Sequence, residues 1–321
     1  MNNVTLRQLR YFDALARHLH FGRAAGQCAI SQPALSMQIQ DLEAEIGTPL
    51  VERTRQGAKL TAAGEEVARK IGRILAEVDD LTDYARQSGE LLSGRLRLGV
   101  IPTIAPYVLP ALLPLLRAGY PKLDLHLREA QTQYLVTDLA AGRLDALLLS
   151  LPIEHPDLET GALFDDEFIL AASASGAFRK QSVATLPFLE KDRLLLLEEG
   201  HCLRKQALSF CALKQLDNLN TLGTSSLSTL VQMVVNGFGV TLLPKMSIPV
   251  EARRRALVLI PFEKPKPTRS IGLAWRKSAT KKADYAALGE LVTSVTQPIH
   301  SSSDDIIAEN AHRSVLGMDF R

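Results

Sequence analysis

Apolar residues in the first sixty positions recur every three or four residues, whereas beyond position 94 they alternate, so the chain carries two kinds of architecture. Thr5-Leu6-Arg7-Gln8 matches a capping box, and Leu9, Phe12, Leu15 and Leu19 follow at helical spacing. A second short helix is predicted from Phe21 to Cys28, with small residues that let another helix cross closely. Ala29-Ile30 makes a turn, and Ser31 caps a third helix whose Pro33 falls in the first turn, where proline is tolerated. That helix turns Leu35, Ile39 and Leu42 inward and Gln32, Ser36, Gln38 and Gln40 outward. Two short helices joined by a tight turn form a helix-turn-helix. Past Gly47, the run from Leu50 to Thr54, the turn Gln56-Gly57 and Ala58-Lys59-Leu60 read as a β-hairpin wing. The alternative is a plain three-helix domain with a solvated polar face.

From Ala62 to about Ser88 the pattern predicts one long helix. Val67, Ile71, Ile74, Val78, Leu81 and Ala85 alternate in steps of four and three, the seam of a two-stranded coiled coil. Packing of this stripe on its own chain is the alternative. Dimerisation would pair two reading helices. After a hinge at residues 89–94, strands and helices alternate. Strands are predicted at Arg95–Ile101, around Leu123–Leu127, and at Asp145–Leu151, Phe168–Ala172, Leu194–Leu197, Val240–Pro244, Val258–Pro261 and Ser270–Trp275. Helices include Ala105–Ala118, Thr132–Ala141 and Ser226–Asn236. This is α/β grammar, with ligand sites expected at the carboxyl ends of strands. Pro102-Thr103, Ala130-Gln131-Thr132 and Gly223-Thr224-Ser225-Ser226 sit at such ends. The stretch from Ser301 to Arg321 is expected to be poorly ordered.

Charge changes the picture only by its placement. A net charge of +2 over 321 residues announces no nucleic-acid partner. Residues 1–90 carry 11 Lys+Arg against 12 Asp+Glu, with the acids mostly beyond the third helix. Glutamine and serine suit base edges and phosphates, and Arg53, Arg55 and Lys59 on the wing suit phosphate or the minor groove. Such a monomer should bind DNA weakly. Apolar runs are all too short for a membrane span and the amino terminus lacks a signal pattern, so a cytoplasmic protein is expected. There is no phosphate loop, catalytic-triad pattern or metal-ligand spacing.

Two of the three cysteines, Cys202 and Cys211, lie nine positions apart in an amphipathic helix that begins near His201, after a break at Gly200. Nine residues of intact helix span about 13.5 Å and put the sulfurs on opposite faces. A disulfide needs Cα atoms roughly 4.4–6.8 Å apart, so bonding would require the segment to unwind. Cys202 stands at a helix start beside His201, Arg204 and Lys205, features that favour a thiolate. Cys211 has apolar neighbours. The two read either as attacker and resolver or as small hydrophobes in a reduced protein.

Phe21-x2-Ala24-Ala25, Ser31-Gln32-Pro33-Ala34-Leu35-Ser36-x-Gln38-Ile39, Leu42-Glu43, Leu50-x2-Arg53 and Thr61-x2-Gly64 resemble the amino-terminal signature of LysR-type transcriptional regulators. Gly200-His201-Cys202-x8-Cys211 is similar to the peroxide-sensing OxyR branch. So are Ile101-Pro102-Thr103-Ile104-x-Pro106-Tyr107, Glu129-Ala130-Gln131-Thr132, Gly239 to Pro244 and Arg269-x-Ile271-Gly272-Leu273. The resemblance runs over residues 5–295. It implies a multidomain α+β protein: a winged helix-turn-helix at 1–61, a dimerisation linker helix at 62–90 and a periplasmic-binding-protein-like α/β regulatory domain at 91–300. That domain would have two lobes, about 94–165 with 270–300 and about 166–269, followed by a tail at 301–321. It implies DNA contacts from Ser31, Gln32, Pro33, Ser36, Gln38, Arg53 and Arg55. It further implies Cys202 as the peroxide-reactive thiol, Cys211 as the resolving one, Thr103, Thr132 and His201 lining the peroxide pocket, and Arg269 holding the reduced arrangement. The implied chemistry is a thiolate attack on the O–O bond, then condensation of the sulfenic acid with the second thiol. Promoter DNA, RNA polymerase, a thioredoxin- or glutaredoxin-type reductant and a homodimer assembling to a homotetramer are the implied partners, with no cofactor. A LysR-type regulator of a small organic effector, and a thiol peroxidase carrying a helix-turn-helix, are the rival readings.

Overall fold

The computed structural model describes residues 3–54, 57–86, 90–185, 193–210, 224–253 and 256–316. The chain divides into two compact units, residues 1–89 with 137–144, and residues 90–136 with 145–321.

In the first unit, α1 (Leu6–His18) starts at the capping box, where Thr5 Oγ1 accepts from the Gln8 backbone N–H at 3.2 Å and Gln8 Oε1 accepts from Thr5 N–H at 2.9 Å. α2 (Phe21–Gln27) and α3 (Gln32–Ile46) follow, with Ser31 Oγ capping Ala34 N–H and Gly47 ending α3 in the left-handed region. Phe12, Leu15, Phe21, Ala24, Leu35, Ile39 and Leu42 form one buried cluster, each large side chain contributing about 1.5–3 kcal/mol by leaving water. The wing is β1 (Val51–Thr54) paired antiparallel with β2 (Gly57–Leu60). Glu43 Oε1 holds its start by accepting from Leu50 and Val51 N–H at 2.7 and 3.0 Å. α4 (Ala62–Arg86) passes so close to the wing that a Cβ at Gly64 would lie 2.0 Å from Leu50 O. Along α4 the expected seam divides. Ile71 is buried in the cluster just described, with Val67 packed against it, while Ile74 and Leu81 are 46% and 67% exposed. Val67 and Ile71 therefore serve their own chain.

The second unit is a seven-stranded sheet in the order β4-β3-β5-β9-β6-β7, with β8 also on β6. β3 (Gly94–Val100) pairs in parallel with β4 (Leu123–Glu129) and β5 (Ala146–Leu151), and α5 (Ala105–Gly119) and α6 (Thr132–Ala140) follow β3 and β4. β6 (Leu158–Ser173) and β9 (Thr268–Arg276) are antiparallel partners over most of their length, so the two expected lobes share these strands. β7 (Thr241–Pro244) and β8 (Leu257–Pro261) pair with the far end of β6. α7 (Cys202–Phe210), α8 (Leu227–Val235), α9 (Ile248–Glu251) and α10 (Lys282–Leu316) are the remaining α-helices among the described residues.

Two expectations are corrected. Leu194–Leu197 is buried but is not a strand: it makes one bridge, Leu194 to Val240, and the Thr241 hydroxyl takes the Leu195 carbonyl at 2.8 Å. The tail expected to be poorly ordered from residue 301 is instead the distal part of α10, helical to Leu316. It is tied down by polar side chains rather than by an apolar stripe. Ser303 is fully buried and donates to Lys245 O at 2.8 Å, and Asn310 bonds both Leu259 N–H (2.9 Å) and Leu257 O (2.8 Å) on β8.

Candidate functional site

The core of the site is an ion pair in a place that water does not reach. Asp166 on β6 and Arg269 on β9 are register partners, and both side chains are fully buried. Arg269 Nε and Nη2 lie 3.0 and 2.9 Å from Asp166 Oδ2, while Asp166 Oδ1 accepts from Met246 N–H at 3.0 Å. The guanidinium also reaches across to the loop after β3, donating to Thr103 Oγ1 at 2.9 Å and Thr103 O at 3.1 Å. Arginine has no acceptor, so Thr103 Oγ1 accepts here and keeps its own proton to donate elsewhere.

A second group of side chains lies at the starts of α6 and α7. Thr132 opens α6, and its Oγ1 is buried without a hydrogen-bond partner among the described residues. His201, just before α7, is buried, and its Nε2 is likewise unpartnered apart from Glu198 Oε1 at 3.8 Å. Burial holds His201 below the ordinary histidine value, against a weaker upward pull from Glu198, so its ring is neutral near pH 7. Buried polar atoms are nearly always satisfied, so these two, among the unpartnered atoms of the described residues, are candidates to bond another polar molecule. The two loops touch: Gly200 adopts φ +93°, and a Cβ there would lie 2.4 Å from Gln131 Oε1. Only glycine combines that backbone with that approach.

Cys202 is a free, partly buried thiol at the first position of α7. Arg204 donates to Leu197 O at 3.3 Å, anchoring the turn before the helix. Gln206 Nε2 donates to Ser150 Oγ, which donates to Ser270 O at 3.1 Å, next to Arg269. α7 is thereby tied to β5 and β9. Cys211 and Arg55 lie outside the described residues. Thr103 and Arg269 are joined directly, and the Thr132 and His201 loops meet at Gln131 and Gly200. Sequence reasoning missed Asp166, Ser150 and Gln206, which hold this arrangement. Asp166 lay within the run Asp165-Asp166-Glu167, whose charge reads as surface, and nothing in the sequence reports that one of the three faces inward.

On the reading helix, Gln32, Pro33 and Gln40 are exposed, and Met37 is 57% exposed. Ser31 is engaged as the cap. Gln38 Nε2 donates to Asp41 Oδ2 at 3.2 Å. Arg53 donates to Ser36 Oγ and covers the Phe21 ring at 4.8 Å, so Arg53 and Ser36 form a unit between wing and helix. No group of three or more His, Cys, Asp or Glu among the described residues could hold a metal ion. No described helix is long and apolar enough to cross a membrane.

Residues 6–65 match the bacterial regulatory helix-turn-helix protein, lysR family, and residues 89–297 match the LysR substrate binding domain. The chain belongs to the LysR family. Among LysR-family relatives, it is 40% identical over 289 residues to the DNA-binding transcriptional dual regulator OxyR of Escherichia coli strain K12, covering 90% of this chain and 95% of that one. A full-length cysteine-to-aspartate OxyR variant from Pseudomonas aeruginosa superposes with a TM-score of 0.76 at 32% identity, over 90% of this chain and 97% of the other. A cysteine-to-serine OxyR variant from Corynebacterium glutamicum, with hydrogen peroxide bound, superposes with a TM-score of 0.65 at 33% identity, over 94% and 97%. This LysR-family chain thus shares both domains and their order with the relatives it matches.

Proposed function

We propose that this chain is a hydrogen peroxide-sensing, DNA-binding transcriptional regulator of antioxidant genes, switched by a reversible disulfide between Cys202 and Cys211. The observation that carries this reading is the pair of buried, unpartnered atoms, Thr132 Oγ1 and His201 Nε2, in loops that touch beside Cys202. Hydrogen peroxide is a small molecule with two oxygens that both donate and accept, and that suits such a site. The Cys202 thiolate attacks one oxygen and the O–O bond breaks. The other oxygen leaves as hydroxide, stabilised by hydroxyl donors such as Thr103, and is protonated to water. The resulting sulfenic acid is attacked by the Cys211 thiolate, which releases the remaining oxygen as hydroxide, protonated in turn to water, and forms the disulfide. The helix α7 covers Cys202–Phe210; continued to position 211 it would hold the two sulfurs about 13.5 Å apart along its axis, so on this reading the second step requires it to open.

That opening is the switch. It breaks the Gln206 tie to Ser150 and changes the surface presented to a second copy of the chain. DNA is read by Gln32, with Ser36 and Arg53 working as a unit, Ser31 and Pro33 setting the helix start, and Gln38 and Arg55 completing the contacts. Ile74 and Leu81 on α4 offer an apolar surface for a homodimer, which assembles to a homotetramer. The regulator acts on promoter DNA with RNA polymerase in the cytoplasm, and a thioredoxin- or glutaredoxin-type reductant resets it. Counting free thiols and footprinting a promoter before and after one equivalent of peroxide tests this. Two thiols per chain should disappear and the footprint should shift. Thiol loss without a footprint change, or neither, overturns the reading.

A further inference from the structure

Asp166 has a third neighbour, and it comes from α10. His300 Nε2 is buried and stands 3.4 Å from Asp166 Oδ1, the carboxylate oxygen not bonded to Arg269. The distance is within ion-pair reach, although no hydrogen bond is formed. The ring also meets Phe164, two residues before Asp166, edge-on at 5.7 Å. The match to the LysR substrate binding domain ends at residue 297. His300 therefore lies just past the matched domain, on the segment that Ser303 and Asn310 clasp to the turn after β7 and to β8 through Lys245 O, Leu257 O and Leu259 N–H.

We propose that His300 is a positioning residue for the peroxide reaction, acting through Asp166 and Arg269 on Thr103. The inference rests on the peroxide-sensing reading above. Asp166 has two oxygens and must point one at the guanidinium. With Met246 N–H bonded to Oδ1 and the His300 ring standing 3.4 Å from the same oxygen, a carboxylate that turned would lose the first and move against the second, so Oδ2 stays on Arg269. Arg269 then keeps Thr103 Oγ1 as an acceptor, which leaves the threonine proton for the leaving oxygen. The carboxyl-terminal helix thereby sets how well one hydroxyl donates, and it does so without touching the peroxide.

The test is Cys202 reactivity in the full-length protein, measured in parallel with hydrogen peroxide and with iodoacetamide, whose halide leaving group needs no hydroxyl donor of this kind. His300→Leu should slow the peroxide reaction about tenfold, the lower range for losing an outer-shell partner, and leave alkylation unchanged. His300→Gln, which keeps an N–H donor, should recover most of the rate. His300→Asn, polar but too short to reach Asp166, should behave like the leucine variant and serves in its place if that one does not fold. Asn310→Ala loosens the helix at β8 without touching Asp166 and should leave both rates near wild type. Equal slowing with both reagents, or wild-type peroxide rates in both the leucine and asparagine variants, overturns the proposal. A wild-type protein whose Cys202 reacts with peroxide no faster than Cys28 does would instead fail at the peroxide-sensing reading and take this inference with it.

Discussion

The reading helix and the sensor pocket treat polar side chains in opposite ways. On α3, Gln32 and Gln40 face solvent, and the residues proposed to meet DNA lie within one helix and the neighbouring wing. In the proposed sensor site, Thr103, Asp166, His201 and Arg269 are buried and come from four stretches spread over more than 160 positions. A polar group in water is already satisfied, so a DNA-reading surface can stand ready with no internal partners. A polar group out of water costs free energy unless it is hydrogen-bonded, so a buried site must account for nearly every atom. Atoms left over, such as Thr132 Oγ1 and His201 Nε2, are the ones free to meet a bound molecule. A reading head is therefore recognised by what it exposes, and a sensor by what it leaves unpaired.

The strongest way to break this contrast is at the thiols. Cys202→Ser should bring peroxide consumption down to the background of Cys28, whose thiol burial pushes up and so disfavours as a nucleophile. Cys211→Ser should consume peroxide at the wild-type initial rate but stop at sulfenic or sulfinic acid, as mass spectrometry would show. Equal initial rates in the two variants would make Cys211 a competent attacker.

Next comes the ion pair. Arg269→Ala leaves a buried, uncompensated carboxylate and should cost about 3–5 kcal/mol in urea unfolding. Arg53→Ala, which removes an exposed arginine from Ser36 and Phe21, should cost no more than about 1 kcal/mol. Similar losses at both positions would erase the distinction between the two regions.

Gln32→Ala sharpens the comparison from the other side. Operator binding should weaken by about 1–3 kcal/mol at fixed salt, with the peroxide rate of Cys202 untouched. Unaltered affinity in a gel-shift titration would remove α3 as the reader.

The smallest effect is the pH dependence contributed by His201. Its folded value is lowered by burial, so between the folded value and the unfolded one, near 6.5, the unfolded chain binds more protons. Stability from this group is therefore full above about pH 6.5 and is lost as pH falls through the folded value. His201→Gln should flatten that part of a stability–pH curve, and an unchanged slope would show that the imidazole is not held neutral.

Much of the first unit was legible because its signals are local. A capping box, a serine cap and a glycine stop each act within a few residues, and the structure uses each where the spacing predicts it; of the expected turn Gln56-Gly57, Gln56 lies outside the described residues and Gly57 already belongs to β2. Elements of the sensor unit were legible wherever apolar alternation was strong. The buried run Leu194–Leu197 misled, because burial alone does not supply a neighbouring strand along its length. Polar Ser301–Asn310 misled in the other direction. Its helix is held by Ser303 and Asn310 meeting the backbone of distant segments, and composition carries no trace of such contacts.

What the sequence determined by itself, then, is what short-range physics and apolar periodicity control: helices and their ends, the wing, the alternation of strand and helix, and the placement of Cys202 at a helix start. The tertiary structure alone decided which polar residues share a dry interior. Asp166 became the partner of Arg269 because β6 and β9 lie in register, and Ile71 left the expected seam because α4 packs on the helix-turn-helix. The physical reason is the same in each case. Desolvation depends on every atom within a few ångströms, and those atoms come from parts of the chain whose separation in sequence says nothing about their distance in the fold.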